Sequence, residues 1–470
     1  MSSTESPSHR SPSLLHSAIT FGAVILIIAS GLFWLAIDLH VLMFICLIWT
    51  GANAFALGFR YEEIRQFMSE AITRALPAIY IFILIGMVIA SFMHAGTIAA
   101  LMYYGLSWIS PALFLPLGML LCAFMSVATG TSWGTVGTLG VVFMGIGGAM
   151  DIPLPLVAGM VVCGATFGDK MSPVSDTTNL AAMSAGTNLY HHIYSMMFTT
   201  VPTFLLVLVI FFFVGFSYGE NSLSGDTLQS IQQALDNSYR LSPAITFLPI
   251  IVLAVLSFCR LAAEVSMAAS IITAVAVAVL FQGEGAATVL NALWSNSPGE
   301  TGIASVDDLL GRGGIASMSW TLLLAIMALA LGGILHSGGF LRALLAGLIA
   351  RVENTAALVA STIGSGLLGN MAMGEAYISI ILNCQLFREK YKQQELDSAI
   401  LSRSVEEGAT LTTGLIPWTT AGAFYTATLG IPVIEYAPYA FFNYLNGLIA
   451  ILMAGLGLGL LNKKTNHGSR

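Results

Sequence analysis

Apolar residues in this chain fall into long runs separated by short polar ones. That is the pattern of helices that cross a bilayer, where a span needs about 20 mainly apolar residues. Such runs occupy 18–38, 40–58, 77–97, 190–216, 243–259, 264–281, 319–337 and 437–461. Three polar or amphipathic stretches separate some of them: 59–76 with Arg60, Arg65 and Arg74, 217–242 with Arg240, and 282–318 with Arg312 and several acids. Two further regions, 108–189 and 352–433, are apolar overall but interrupted by Gly, Pro, Ser, Thr and acids at 126–137, 164–179, 364–377 and 404–422. Irregular backbone at membrane depth survives only inside protein or beside a water-filled cavity. Paired interruptions therefore predict discontinuous helices that meet at a binding site.

Composition agrees. Hydrophobic residues make up 56% of the 470, and Lys, Arg, Asp and Glu only 9%, against about 25% charged in soluble proteins. So few charges cannot coat a soluble surface, which excludes a soluble enzyme, a nucleic-acid binder and a disordered scaffold. Cys46, Cys122, Cys163, Cys259 and Cys384 form no C-x-x-C pair and read as buried apolar residues. Residues 1–13 are rich in Ser and read as a disordered N-terminal tail. The apolar run 14–37 has no small-residue cleavage site and reads as a first span rather than a signal peptide.

The interrupted regions match each other. Ser126-Val-Ala-Thr-Gly-Thr-Ser-Trp133 aligns with Asn370-Met-Ala-Met-Gly-Glu-Ala-Tyr377, an offset of 244. Gly164-Ala-Thr166, Pro173 and Ser175 align with Gly408-Ala-Thr410, Pro417 and Thr419 at the same offset. His94-Ala-Gly96 aligns with His336-Ser-Gly338 at 242. The reading is two homologous halves, 14–216 and 243–462, joined by a polar connector, 217–242, and followed by a tail, 463–470. Positive residues mark the cytoplasmic side. Arg10, the 59–76 stretch, Lys463, Lys464 and Arg470 predict cytoplasmic termini, with the connector outside. Each half then crosses an odd number of times. The expected fold is an all-α polytopic membrane protein of two inverted-topology repeats with discontinuous transmembrane helices. The Arg388–Lys392 stretch falls outside on this scheme, against the charge rule.

Candidate chemistry sits in the interruptions. Thr129, Thr131 and Ser132 offer hydroxyls, freed carbonyls surround them, and Trp133 follows. Small residues also make packing seams, but the repeat and the nearby carboxylates favour a site. An ionised carboxylate in hydrocarbon is costly and persists where it faces a cavity, is paired or binds ions. Asp176 is the first candidate for ion or proton binding and Asp169 the second, with Lys170 as a competing partner for Asp169. Ser175, Thr177 and Asn179 complete an oxygen set. Asp176, Ser132 and Thr131 are the candidate ligands of a small cation. The second half supplies Glu375 to the ion site, and Asn370, Glu406, Glu407, Thr410, Thr412, Thr419 and Thr420 to the cavity wall with Thr129, Trp133 and Asn179. Glu406 and Glu407 are read equally well as dipole partners at a helix N-terminus. His94, His336, His191 and His192 read as interfacial, and Glu264 as an ion-pair partner of Arg260. No metalloprotease or nucleophile–base motif is present, so an enzyme is not expected and no cofactor is called for.

At these residues the chain resembles the NhaC family of sodium/proton antiporters. The motifs that carry the resemblance are Thr129-Gly-Thr-Ser-Trp-Gly-Thr135, Phe167-Gly-Asp-Lys-Met-Ser-Pro-Val-Ser-Asp-Thr-Thr-Asn179 and Leu415-Ile-Pro-Trp-Thr-Thr420 after Glu406-Glu407. It departs at Glu375-Ala376, where such members have Asp and Gln, and at Thr419, where Asn is common. The resemblance implies re-entrant hairpins in the fold, exchange of Na⁺ for H⁺ in a bacterial inner membrane with Asp176, Ser132 and Thr131 as Na⁺ ligands, lipid as surroundings, and a homodimer. Since relatives include carriers of malate, lactate and amino acids, the alternative is sodium- or proton-coupled transport of a small organic anion or amino acid. An ion channel fits less well, because opposed broken helices suit a carrier.

Overall fold

The computed structural model describes residues 10–461 except 109, 219–224, 260, 304–305, 308–309 and 350–351. Lys463, Lys464, Arg470, Arg260 and most of the N-terminal tail lie outside the described residues. Among the described residues every regular element is helical, and ten helices are long and apolar enough to cross a membrane, or eleven if one bent pair counts as a span.

The chain begins with α1 (Leu14–Phe33), α2 (Leu39–Ala56) and the amphipathic α3 (Tyr61–Arg74), then α4 (Leu76–His94) and the short α5 (Thr97–Trp108). The first interrupted region forms α6 (Pro111–Thr129), α7 (Ser132–Ala149), α8 (Leu154–Met171) and α9 (Asp176–Ala185), and the long α10 (Leu189–Phe216) follows. The connector is not simply polar coil. It contains α11 (Gly225–Ser238), which buries Ile231 and Leu235. Next come α12 (Leu248–Phe258), α13 (Ala263–Gln282), α14 (Ile315–Ser337) and α15 (Phe340–Ile349). The second interrupted region forms α16 (Thr355–Met373), α17 (Ala376–Gln393), α18 (Ser398–Thr413) and α19 (Thr420–Leu429). The closing α20, Val433–Tyr439 with Phe441–Gly455, bends by 53°.

Helix starts recur at one spacing. Pro111 and Thr355, Ser132 and Ala376, Leu154 and Ser398, Asp176 and Thr420, and Leu189 and Val433 each stand 244 apart. The breaks have a local cause. α6 stops at Gly130 and α16 at Gly374, both in the left-handed conformation (φ 71° and 67°), where only glycine avoids the Cβ penalty. The close crossings have one too. A Cβ on Gly164 would stand 2.4 Å from the Met119 carbonyl, and one on Gly408 2.4 Å from that of Ile363, so these glycines let α8 lie on α6 and α18 on α16.

α4 and α14, whose terminal histidines match in sequence, run in opposite directions. α4 starts one residue after Ala75, at the end of α3. α14 ends beside α3: His336 and Ser337 share a small pocket with Glu70 and Arg74, and Gly333 packs on the Phe67 carbonyl. The far end of α4 meets the start of α14, with Gly86 against Gly314 and Met318.

Candidate functional site

The four breaks enclose one cavity of about 630 Å³. The first half lines it with Thr131, Ser132, Trp133, Thr166, Asp169, Asp176 and Thr177. The second half lines it with Glu375, Ala376, Tyr377, Thr410, Thr413, Thr420 and Ala421. Each residue of the second set stands 244 positions after its counterpart in the first. Arg74, Glu264 and Tyr425 complete the polar wall.

Asp169 is the deep carboxylate. It occupies the last turn of α8 and is buried, 7% exposed. Its Oδ2 accepts the Ser132 backbone N–H at 3.1 Å and the Ser132 hydroxyl at 2.6 Å. That N–H belongs to the first turn of α7, where a helix end favours negative charge. Asp169 Oδ1 is buried and takes no hydrogen bond. Such an oxygen is costly to leave bare and suits a cation or a proton.

Asp176 stands nearer the mouth and is exposed. It is the first residue of α9. Its Oδ1 accepts the Thr177 N–H at 2.8 Å, and the Tyr377 hydroxyl donates to Oδ2 across the two halves. Glu375 is buried and caps α17, with Oε2 accepting the N–H groups of Tyr377 (2.7 Å) and Ile378 (3.4 Å). Thr131 caps α7 at the equivalent position, taking the Gly134 N–H. Trp133 stacks on Phe424, ring centroids 4.5 Å apart, with Phe82 at its edge.

Other predicted site residues hold the frame rather than line the cavity. Thr129 bonds the Met125 carbonyl and Asn179 those of Ser175 and Pro173. Ser175 and Thr419 are the N-caps of α9 and α19. Asn370 donates to the Ala409 carbonyl and to the Thr412 hydroxyl.

Glu406 and Glu407 also stand off the cavity and are not at a helix N-terminus. They sit in the middle of α18, fully buried. Glu406 Oε2 pairs with His192 Nε2 at 2.7 Å, and its Oε1 accepts the Thr178 hydroxyl at 3.1 Å. Glu407 accepts the Thr199 hydroxyl at 2.5 Å and lies 4.0 Å from Arg403 Nε. Lys170 does not pair with Asp169. Successive helical residues point about 100° apart, and the buried Lys170 ammonium has Glu407, Glu406 and Arg403 as its charged neighbours.

Sequence reasoning therefore missed Arg74, Thr166, Tyr377, Thr413 and Tyr425 as wall residues. The offset of 244 carries the signal for three of them, because Thr166 leads to Thr410, Trp133 to Tyr377 and Asp169 to Thr413. It also misread His192, which is buried and paired rather than interfacial. Glu264, expected as an ion-pair partner of Arg260, lines the cavity, and Arg260 lies outside the described residues. Among the described residues no group of three or more His, Cys, Asp or Glu is arranged to hold a metal ion. The oxygen set at Asp169 and Ser132 pairs one acid with a hydroxyl, a donor type that suits a weakly held monovalent cation.

Comparison with known proteins points the same way. Residues 164–458 match the model of the Na⁺/H⁺ antiporter family. The Na⁺/H⁺ antiporter NhaC of Alkalihalophilus pseudofirmus is 35% identical over 443 residues, 94% of this chain and 95% of the relative. The malate-2H⁺/Na⁺-lactate antiporter of Bacillus subtilis is 30% identical over 97% of both chains. The arginine/ornithine antiporter ArcD of Halobacterium salinarum is 32% identical over 95% of this chain and 92% of its own. With ten candidate spans, paired helix breaks and similarity along nearly its whole length, the chain belongs to the NhaC family of Na⁺/H⁺ antiporters.

Proposed function

We propose that this chain is a secondary transporter that exchanges Na⁺ for H⁺ by alternating access. The observation that carries the reading is Asp169: a buried cavity carboxylate with one oxygen held by Ser132 and the other making no hydrogen bond, with the Ser175 hydroxyl nearby. Na⁺ and a proton compete for that oxygen, so one loaded state excludes the other and exchange needs no covalent chemistry. Asp176 at the mouth, with Thr131 and Thr177 near it, receives the ion first. Glu375 adds negative potential while it fixes the start of α17.

The antiparallel run of α4 and α14 supports two inverted repeats, 14–216 and 243–462, rocking against each other around the cavity. Arg60, Arg65 and Arg74 on α3 support a cytoplasmic position for that edge. Arg74 lines the cavity and its side chain is 54% exposed, so the mouth opens inward in this conformation. The termini are then cytoplasmic, in a bacterial inner membrane, with lipid around the spans and a second copy as the partner in a homodimer.

The test is transport by the purified protein in proteoliposomes holding a pH-sensitive dye. Addition of Na⁺ should move protons in wild type and not in Asp169→Asn. Absence of Na⁺-driven proton movement in wild type would sink the reading.

A second reading is favoured by one observation. The cavity is far larger than a dehydrated ion needs, and its wall carries Trp133, Tyr377, Tyr425 and Arg74. Such a wall suits a small organic anion or amino acid moved with Na⁺ or H⁺. Saturable thermal stabilisation by malate, lactate, arginine or ornithine would support it.

A further inference from the structure

Glu406 is a buried acid on α18 that does not touch the cavity, yet both of its oxygens are engaged. One partner is His192 of α10, whose other ring nitrogen meets the Ser402 hydroxyl at 2.7 Å. The other is Thr178 of α9, two residues after Asp176 and next to Thr177 in the wall. The Thr178 hydroxyl has a single hydrogen. Its nearest acceptor is Glu406 Oε1 at 3.1 Å, and the carbonyls of Lys170 and Asp169 stand at 3.2 and 3.4 Å. That hydroxyl is therefore the point where α8, the first turn of α9 and α18 meet. The rest of the α9 turn is held by the Ser175 cap, by the Thr177 N–H on Asp176 and, across the halves, by the Tyr377 hydroxyl on Asp176.

We propose that Glu406 is a positioning residue for the ion site: through Thr178 it fixes the first turn of α9, and with it Asp176 and Thr177, relative to Asp169. His192 holds the acid in the orientation that reaches Thr178. The geometry is that of an outer-shell partner, which orients groups that bind an ion without binding it itself; loss of such a partner typically costs about 10–100-fold in affinity. The inference rests on the exchange reading, since it assigns a role at the same site.

The experiment compares Glu406→Gln, Thr178→Val, Thr178→Ser and the Gln/Val double variant. Two readouts are taken: half-saturation by Na⁺ in proteoliposome exchange, and Na⁺-dependent thermal stabilisation of the purified carrier. Glu406→Gln and Thr178→Val should each raise the Na⁺ half-saturation by about tenfold or more, with the maximal rate within about twofold. Thr178→Ser keeps the hydroxyl and should restore the wild-type value. The double variant should be no worse than the weaker single, because both remove one shared interaction. A half-saturation within about twofold of wild type in either single variant, or a double-variant shift equal to the product of the singles, would overturn the proposal. So would lower stability with unchanged Na⁺ dependence, the mark of a merely structural role. If Glu406→Gln does not fold, the Val and Ser variants of Thr178 decide the matter. A wild type that moves no protons on Na⁺ addition defeats the exchange reading, and the stabilisation readout still tests Glu406.

Discussion

Seven cavity-lining positions of the first broken crossing, counted on by 244, reach cavity-lining positions of the second. Thr131 leads to Glu375, Ser132 to Ala376, Trp133 to Tyr377, Thr166 to Thr410, Asp169 to Thr413, Asp176 to Thr420 and Thr177 to Ala421. The frame repeats because its causes repeat: a left-handed glycine ends α6 and α16, a capping oxygen starts α7 and α17, and a second capping hydroxyl starts α9 and α19. The chemistry does not repeat. Two acids line the first crossing where threonines stand in the second, and one acid lines the second where a threonine stands in the first. At Thr131 and Glu375 the exchange keeps the cap, since Thr or an acid can each supply the oxygen acceptor. Asp169 and Asp176 are not caps, and their exchange for Thr413 and Thr420 changes only side chains that line the cavity. The frame therefore tolerates exchange between them, and charge can be distributed unequally over a symmetric scaffold.

The largest expected effect separates Asp169 from its counterpart. Asp169→Asn should lower Na⁺-driven proton movement by about 100-fold or more, as loss of a charged interaction worth about 3 kcal/mol would. Thr413→Val should leave it within about threefold. Equal losses in both would mean that the two crossings share the ion evenly, and the proposed asymmetry would fail. A smaller effect separates the next pair. Tyr377→Phe removes the hydroxyl that reaches Asp176. A bond to a charged group contributes about 1.5 kcal/mol or more, so half-saturation by Na⁺ should rise by about tenfold. Trp133→Phe keeps an aromatic ring against Phe424 and Phe82 and should stay within about twofold. A larger loss at Trp133 than at Tyr377 would assign that wall to an organic solute.

How much of this was legible in the sequence follows from which forces are local. Most span positions were, because about twenty apolar residues in a row report burial in lipid directly; the run 243–259 instead forms a four-residue helix and the short α12. The break positions were, through Gly130 and Gly374, although the helices run further into the interruptions than expected: α8 reaches Met171 and α18 reaches Thr413. Three acids of the cavity, Asp169, Asp176 and Glu375, were, because charge is scarce in such a chain; Glu264 was not. Direction around a helix was not. Lys170 follows Asp169 in sequence yet has Glu406, Glu407 and Arg403 as its charged neighbours, and those two glutamates turn from the cavity toward His192, Thr199 and Arg403. The helices α8, α10 and α18 are apolar or small on several faces, so no stripe told which face met which neighbour. Arg74 was legible as a topology marker but not as a wall residue, because its place depends on α3 packing along α14.

The smallest effect tests the shared frame itself. Alanine at Gly130 or Gly374 should destabilise the protein by about 1–2 kcal/mol through the left-handed conformation alone. The two sites differ in what the new methyl meets. At Gly130 it would stand 3.0 Å from the Val174 carbonyl carbon and 3.1 Å from the Ser175 nitrogen, in the α8–α9 break. At Gly374 the nearest atom is the Ala328 methyl at 3.1 Å, on an intact helix. Backbone in a break that also carries Asp176 has less room to yield than one methyl between two helices. Gly130→Ala should therefore lower the thermal midpoint in detergent more than Gly374→Ala, and it alone should also weaken stabilisation by Na⁺, because the displaced Val174–Ser175 segment leads directly into Asp176. Equal midpoints and unchanged Na⁺ stabilisation in both would mean that the first break does not hold the ion site, and the difference between the crossings would reduce to their side chains.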